Sequence, residues 1–229
     1  MCINIVIADE LRLVRKGVIS LINNMHYGEQ LGEDPTGGYN IIADTSTPNE
    51  LVNILSSNSV DLLILGYSLS TKENSNPISS LDGYALIKWL TKKYPDLKII
   101  VISPYKHPSL MRTILEMGAT GYISMDICEK TLERVIVSVL NNEVYVEKGM
   151  MKSLFQGGDR SGKDVSLKEM EVLRLLCKGL NLTSIANRMN LSIKTVSAHK
   201  LRAMSKLDVD SDCQLYCLLT ETKLFNVSF

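Results

Sequence analysis

Two stretches of this chain hold side chains whose types and spacing can do chemistry. The first is Asp9 and Glu10, adjacent carboxylates directly after the apolar run INIVIA. A pair of hard oxygen donors suits a divalent cation or a small cationic ligand, and equally suits a solvated loop after a buried strand. The second is residues 166–207. Between Glu171 and Asp208 there is no acidic residue, whereas Arg174, Lys178, Arg188, Lys194, Lys200, Arg202 and Lys206 are all basic. A polyanion is the natural partner of such a segment. No nucleophile beside a base, no metal-ligand cluster and no glycine-rich phosphate loop is present, so the sequence points away from an enzyme and implies no cofactor or metal.

The chain as a whole is less explicit. Its 229 residues carry a formal net charge of zero, which alone argues against nucleic acid. The balance hides an asymmetry: residues 1–149 have a modest acidic excess and the remainder a basic one, which suggests two modules with different partners. Two domains of ordinary size fit this length without disulfides or metal. Five cysteines form an odd set without framework spacing, so a reducing cytosol is the simplest compartment. Cys213 and Cys217 lie one helical turn apart, but no second pair completes a metal site, and they read as buried or half-buried thiols. The opening MCINIVIADE has neither a charged leader nor a cleavage site, and no apolar run approaches about 18 residues. The expectation is a cytoplasmic protein that does not span a membrane.

The elements that must position Asp9 and Glu10 follow from the apolar pattern. Residues 3–8, 40–43, 61–65, 98–103 and 121–124 are brief, β-branched and nearly continuous in apolar character, as buried parallel strands are. Between them, residues 11–24, 48–57, 84–94, 110–117 and 129–141 carry the 3.6-residue period of helices covering a sheet. Five βα units predict a doubly wound, five-stranded parallel sheet. Such sheets place their crevice at the carboxyl ends of the strands, where Asp9, Glu10, Gly66, Ser103 and Met125 fall.

This layout resembles the receiver domain of two-component response regulators over essentially all of residues 1–141. The resemblance implies a particular chemistry: a carboxylate at the end of the third strand forms an acyl phosphate, and an acidic pair holds Mg²⁺. A hydroxyl after the fourth strand and a lysine after the fifth meet the phosphoryl oxygens. Asp9 and Glu10 match the pair, Ser103 the hydroxyl, and Tyr122 the aromatic that in receivers often rotates on activation. The acceptor position is Gly66 and the lysine position Met125. A slip of one residue brings only Leu65 or Tyr67, and Asp61 lies at the strand's start, roughly 13 Å from its end. Residues 1–148 therefore read as a degenerate receiver-like domain that takes no phosphate in the family manner. Interaction is the simplest role left, with a symmetric dimer the commonest closed assembly. Residues 68–82, rich in Ser and Asn, read as a long loop, either solvated or a docking surface.

Residues 149–165 contain four glycines and read as a flexible linker carrying one apolar patch, Met150, Met151, Leu154 and Phe155. The second domain, residues 166–229, begins with a capping box of Ser166 and Glu169, followed by the apolar stripe Val172, Leu173 and Leu176. Gly179 stops that helix. A second spans residues 182–189 with Ile185, Ala186 and Met189 inward. Ser192 caps a third, residues 193–207, with Val196, Met204 and Leu207 inward, and residues 213–223 supply a fourth. Residues beyond Thr222 read as a loose tail.

Four short helices with a tight turn between the second and third resemble the LuxR-type helix-turn-helix. The match covers residues 164–222 and includes Glu171, Gly179, Ile185-Ala186, Leu191-Ser192, Lys194-Thr195-Val196, His199 and Lys206-Leu207. In whole-chain architecture the protein resembles NarL/FixJ-type response regulators, and LSIKTVSAHKLRAMSKLDV is especially similar to their RcsB branch. The third helix is expected to enter the major groove of double-stranded DNA. Lys194, Thr195, Ser197, Ala198 and Leu201 lie on its outward face, and by resemblance Ser197, Ala198 and Leu201 are base-facing. Lys200, Arg202, Lys206 and Arg188 suit phosphates, which give affinity without sequence information. Asn181 and Thr183 suit the DNA backbone from a helix N-terminus. His199 is open between a phosphate contact and a bond inside the domain.

The sequence thus predicts a DNA-binding transcription regulator of response-regulator type that works as a homodimer without phosphorylation. Two alternatives stay open. One is an interaction protein that modulates a related response regulator by heterodimerisation. The other is a regulator gated by a ligand in the crevice of Asp9, Glu10 and Ser103.

Overall fold

The apolar runs pair with one another because neither face of such a strand can be left to water. In the computed structural model, which describes residues 2–25, 38–71, 81, 83–104, 108–147, 165–207 and 209–221, they form one parallel sheet. Its strands are β1 (Ile3–Ala8), β2 (Tyr39–Thr45), β3 (Leu62–Gly66), β4 (Lys98–Ser103), β5 (Gly121–Ser124) and β6 (Tyr145–Val146), in the order β2-β1-β3-β4-β5-β6. The first five are the expected ones. The sixth is an addition: two residues are too short a run to show any period, and Tyr145–Val146 gains its strand character only by pairing with Gly121 and Tyr122.

The intervening helices are α1 (Arg12–Asn23), α2 (Pro48–Ser57), α3 (Gly83–Lys93), α4 (Pro108–Glu116) and α5 (Glu129–Leu140). Local signals fix their starts. In α2, Pro48 stands in the first turn, where its missing N–H is no loss, and the Thr47 hydroxyl accepts the Glu50 N–H. On one face of the sheet, Ile5, Ile7, Ile64, Ile100, Ile102 and Ile123 pack with Val18 and Ile22 of α1 and Leu132, Val135, Ile136 and Val139 of α5. The alternate residues Val6, Leu63, Leu65 and Val101 are equally buried, as a two-sided sheet requires. Each such side chain contributes roughly 1.5–3 kcal/mol.

Strand register brings the crevice residues level. Ala8 pairs with Leu65 and Gly66 with Ile102, while Ser103 pairs with Ser124. Asp9, one residue beyond Ala8, therefore lies beside Gly66. The strand order reverses at β1, between β2 and β3, so the crevice opens where a doubly wound sheet places its site.

A second compact unit is helical and is built largely on Lys152–Phe229, while the sheet unit holds Met1–Lys106 and Met111–Met151. Its helices are α6 (Leu167–Cys177), α7 (Leu182–Met189), α8 (Ile193–Lys206) and α9 (Asp212–Glu221). The capping box forms: the Ser166 hydroxyl accepts the Glu169 N–H at 3.4 Å, and Glu169 Oε2 accepts the Ser166 N–H at 2.7 Å. Gly179 ends α6 at φ +80°, a left-handed conformation that glycine adopts without strain. Asn181 and Ser192 cap α7 and α8 through side-chain oxygens. Ile185, Ala186, Val196, Ala203 and Met204 are buried, whereas Met189 and Leu207, both expected inward, are only half-buried.

Residues 72–80 and 82 of the Ser- and Asn-rich stretch, residues 148–164 with the Met150, Met151, Leu154 and Phe155 patch, and the tail from Thr222 lie outside the described residues. Among the described residues no helix is long and apolar enough to cross a membrane.

Candidate receiver pocket and nucleic-acid interface

Asp9 leaves β1 with its N–H donated to the Thr45 carbonyl at 3.1 Å, and its Oδ1 accepts the Leu11 N–H at 2.7 Å. Arg15 of α1 donates to the Asp9 carbonyl at 2.7 Å and pairs with Asp44 at 2.8 Å. Lys16 pairs with the same Asp44, and together Lys16 and Arg15 hold that carboxyl below its usual range. Asp9 itself is only 3% exposed. Burial pushes its carboxyl up to about 6, the Leu11 N–H opposes this, the Glu10 charge adds to it, and Arg15 opposes it again.

The Asp9 side chain is turned onto Gly66. A Cβ built on Gly66 would lie 1.9 Å from Asp9 Oδ2 and 2.6 Å from its Cγ, far inside van der Waals contact. Ser103 and Tyr122 are fully buried, Glu10 is half-buried, and Met125 is half-buried against the core shared with α1 and α5.

These residues do not fit the Mg²⁺ that receivers use. A hard cation takes several oxygens and keeps some of its water. Position 66 offers no side-chain oxygen, and the Asp9 carboxylate is packed inward. Among the described residues no three His, Cys, Asp or Glu side chains gather as a metal site.

In the helical unit, α8 presents Ile193, Lys194, Leu201 and Arg202 outward, with Leu201 62% exposed. Thr195, Ser197, Ala198 and Lys200 are half-buried beside them. Asn181 and Thr183 are exposed at the start of α7, and Arg188 is half-buried near its end. Two apolar side chains, Ile193 and Leu201, and two cations, Lys194 and Arg202, are thus exposed along α8.

The basic surface is smaller than the sequence implies. Arg174 is buried and forms a two-pronged pair with Glu171, Nη2 to Oε1 at 2.6 Å and Nε to Oε2 at 3.0 Å. It belongs to the core and leaves the polyanion-facing set. Lys206 donates to Glu169 at 2.8 Å. Burial raises the Glu169 carboxyl, but Lys206 and the Ser166 donors outweigh it and hold the group below its usual range. Lys200 donates to Asp212 at 2.6 Å.

His199 is 9% exposed, and its Nδ1 has no hydrogen-bond partner among the described residues. Burial, then Arg202 and Lys168, lower its pKa, with Glu169 opposing. Burial of this imidazole disfavours its charged form. Sequence reasoning missed the Glu171–Arg174 pair, although opposite charges three apart, with Val172 and Leu173 of the apolar stripe between them, are its signature.

A doubly wound sheet with a switch-point crevice, followed by a helix-turn-helix unit with an outward cationic helix, defines a two-domain response regulator. Residues 5–137 match the response regulator receiver domain model and residues 164–219 match that of bacterial regulatory proteins of the luxR family. The chain belongs to the response regulator receiver family and is a DNA-binding transcription regulator with a LuxR-type helix-turn-helix.

Known proteins agree over nearly the full length. The transcriptional regulatory protein RcsB of Escherichia coli K12 is 26% identical over 223 residues, covering 96% of this chain and 95% of that one. A solved structure of RcsB from Salmonella enterica serovar Typhimurium, bound to promoter rprA with the phosphomimetic BeF3−, has a TM-score of 0.75 at 26% identity, covering 95% of this chain and 98% of that one. Two RcsB dimers bound to two parallel DNAs give a TM-score of 0.56 at 27% identity, covering 96% of this chain and 98% of that one.

Proposed function

We propose that this regulator binds operator DNA as a dimer and does so without phosphorylation. The observation carrying the reading is the composition of the crevice. Gly66 has no side chain to accept a phosphoryl group, Met125 has no charge to meet one, and Asp9 is packed inward. The similar Salmonella protein was captured on its promoter with a phosphomimetic, so the loss of phosphoryl chemistry here sets the two apart. Dimerisation then sets operator occupancy, because two linked half-sites raise affinity through effective concentration.

On DNA, Ser197, Ala198 and Leu201 face bases, two of them apolar and suited to thymine methyl groups. Lys194, Thr195, Lys200, Arg202, Lys206 and Arg188 meet phosphates, with Asn181 and Thr183 at the α7 N-terminus. His199 supports α8 from within.

The test is to treat the purified full chain with acetyl phosphate and Mg²⁺. Operator affinity by fluorescence anisotropy and oligomeric state by light scattering should both stay unchanged. An acid-labile covalent phosphate that alters either one refutes the reading. Specific binding only in the presence of a second response regulator would move the function to a heterodimer.

A further inference from the structure

The crevice of this receiver is not an empty site with a residue missing. Three observations bear on it. Asp9 is an acid, yet it is 3% exposed and faces inward. Its Oδ2 lies where a side chain at position 66 has to begin, 1.9 Å from the ideal Cβ and with Cγ at 2.6 Å. Its Oδ1 is held by the Leu11 N–H at 2.7 Å and its carbonyl by Arg15 at 2.7 Å, so the residue is tethered on both sides of that placement.

Resting on the phosphate-independent reading, we infer that Asp9 occupies the volume of the absent acceptor side chain, and that this occupancy requires glycine at position 66. The chain closes its own crevice with a resident carboxylate. Asp9 here is a packing partner of β3 and no longer a cation ligand. Restoring a carboxylate at position 66 alone therefore does not rebuild a receiver site, because the new side chain and Asp9 compete for one space. The strand register makes that competition unavoidable: Ala8 is fixed opposite Leu65, which leaves Asp9 and Gly66 as neighbours at the carboxyl ends of β1 and β3.

The steric coupling is read by a double-mutant cycle on the full chain, comparing Gly66→Ala, Asp9→Gly and the double variant by thermal denaturation. Gly66→Ala alone is expected to lower the melting temperature of the sheet unit by about 4 °C or more, since its methyl must displace a buried, tethered carboxylate. In the Asp9→Gly background the same substitution is expected to change it by less than about 1 °C, the methyl entering the space Asp9 has left. If Gly66→Ala alone does not fold, a cooperative melt regained in the double variant supports the inference, and a double variant that also fails to fold overturns it. Equal effects of Gly66→Ala in both backgrounds likewise overturn it.

The cycle reports packing and nothing about phosphotransfer. Strong coupling in a chain that nevertheless incorporates acid-labile phosphate would remove the functional reading and leave Asp9 where it is placed here. No coupling in a chain that stays unphosphorylated would do the reverse.

Discussion

Asp212→Asn should tighten operator binding, although Asp212 is not among the residues proposed to touch DNA. Lys200 Nζ is held by Asp212 Oδ2 at 2.6 Å, with the lysine side chain 14% and the aspartate 60% exposed. To reach a phosphate, Lys200 must first leave this carboxylate. An ion pair with one partner this exposed is screened by water and is worth about 0.2–1 kcal/mol. Removing the competing charge should therefore improve binding by about 1.4- to 5-fold per domain, and by about 2- to 30-fold when two domains share one operator. The assay is fluorescence anisotropy across a KCl series. Lys200→Ala serves as the reference, expected to weaken specific and nonspecific DNA alike and to reduce the salt slope by about 0.9 per domain. Asp212 also sits in the first turn of α9, where its charge stabilises the helix by about 0.3–1 kcal/mol, so a thermal melt must accompany the binding curves. Unchanged affinity for Asp212→Asn refutes the reasoning. So does an equal gain in the Lys200→Ala background, which would mean that Asp212 acts by long-range repulsion of DNA and not by holding Lys200.

Three further outcomes follow from buried groups. Arg174→Met removes the two-pronged partner of the buried Glu171 carboxylate and should cost about 3–5 kcal/mol by chemical denaturation, while the paired change Glu171→Leu with Arg174→Met should cost far less. Asp9 has a folded pKa near 6 against an ordinary 3.8, so the native state binds its proton more tightly than the unfolded chain and stability falls as pH rises through that window. In metal-free buffer Asp9→Asn should remove that slope and be more stable at pH 8 by up to about 3 kcal/mol, and a variant no more stable there contradicts the burial argument. His199 has the opposite sign: its folded pKa lies below the usual 6.5, so the stability it contributes is complete above 6.5 and is lost as pH falls below it. His199→Leu should flatten the melting temperature of the helical unit in that acidic range and leave DNA affinity near wild type; a large loss of affinity in a folded variant would return His199 to the DNA-contact set.

The sheet unit was legible because its strands are continuous apolar runs, and parallel strands buried on both faces leave that mark in any order of reading. The caps were legible for a similar reason: Ser166 with Glu169, and Ser192 before α8, act within three residues. What local reading missed depends on distant partners. Gly66 reads as a missing carboxylate, but that Asp9 fills the gap follows only from the β1–β3 register. The basic segment was overcounted for the same reason. Lys206 meets an acid 37 positions earlier and Lys200 one 12 positions later, distances at which charge patterning along a sequence is silent. Arg174 was the avoidable error, since its partner is three residues away.

This internal commitment of charge bears on how occupancy is controlled. Arg174 serves the core, and Lys200 and Lys206 begin paired with acids, so Lys194 and Arg202 are the cations that α8 presents outward. If Z phosphates are neutralised, the salt slope is about −0.9Z, and the ion pairs that Lys200 and Lys206 must first give up lower the affinity of one domain. In the proposed docking, Ala198 and Leu201 would add discrimination but little electrostatic attraction. In the dimer proposed above, a second copy tethered beside the first would hold the operator through effective concentration, which multiplies two modest affinities. On the proposed reading, in which Gly66 leaves pairing uncoupled from a phosphoryl signal, operator occupancy should depend on the amount of protein and its self-association and rise with roughly the square of monomer concentration below the dimerisation constant.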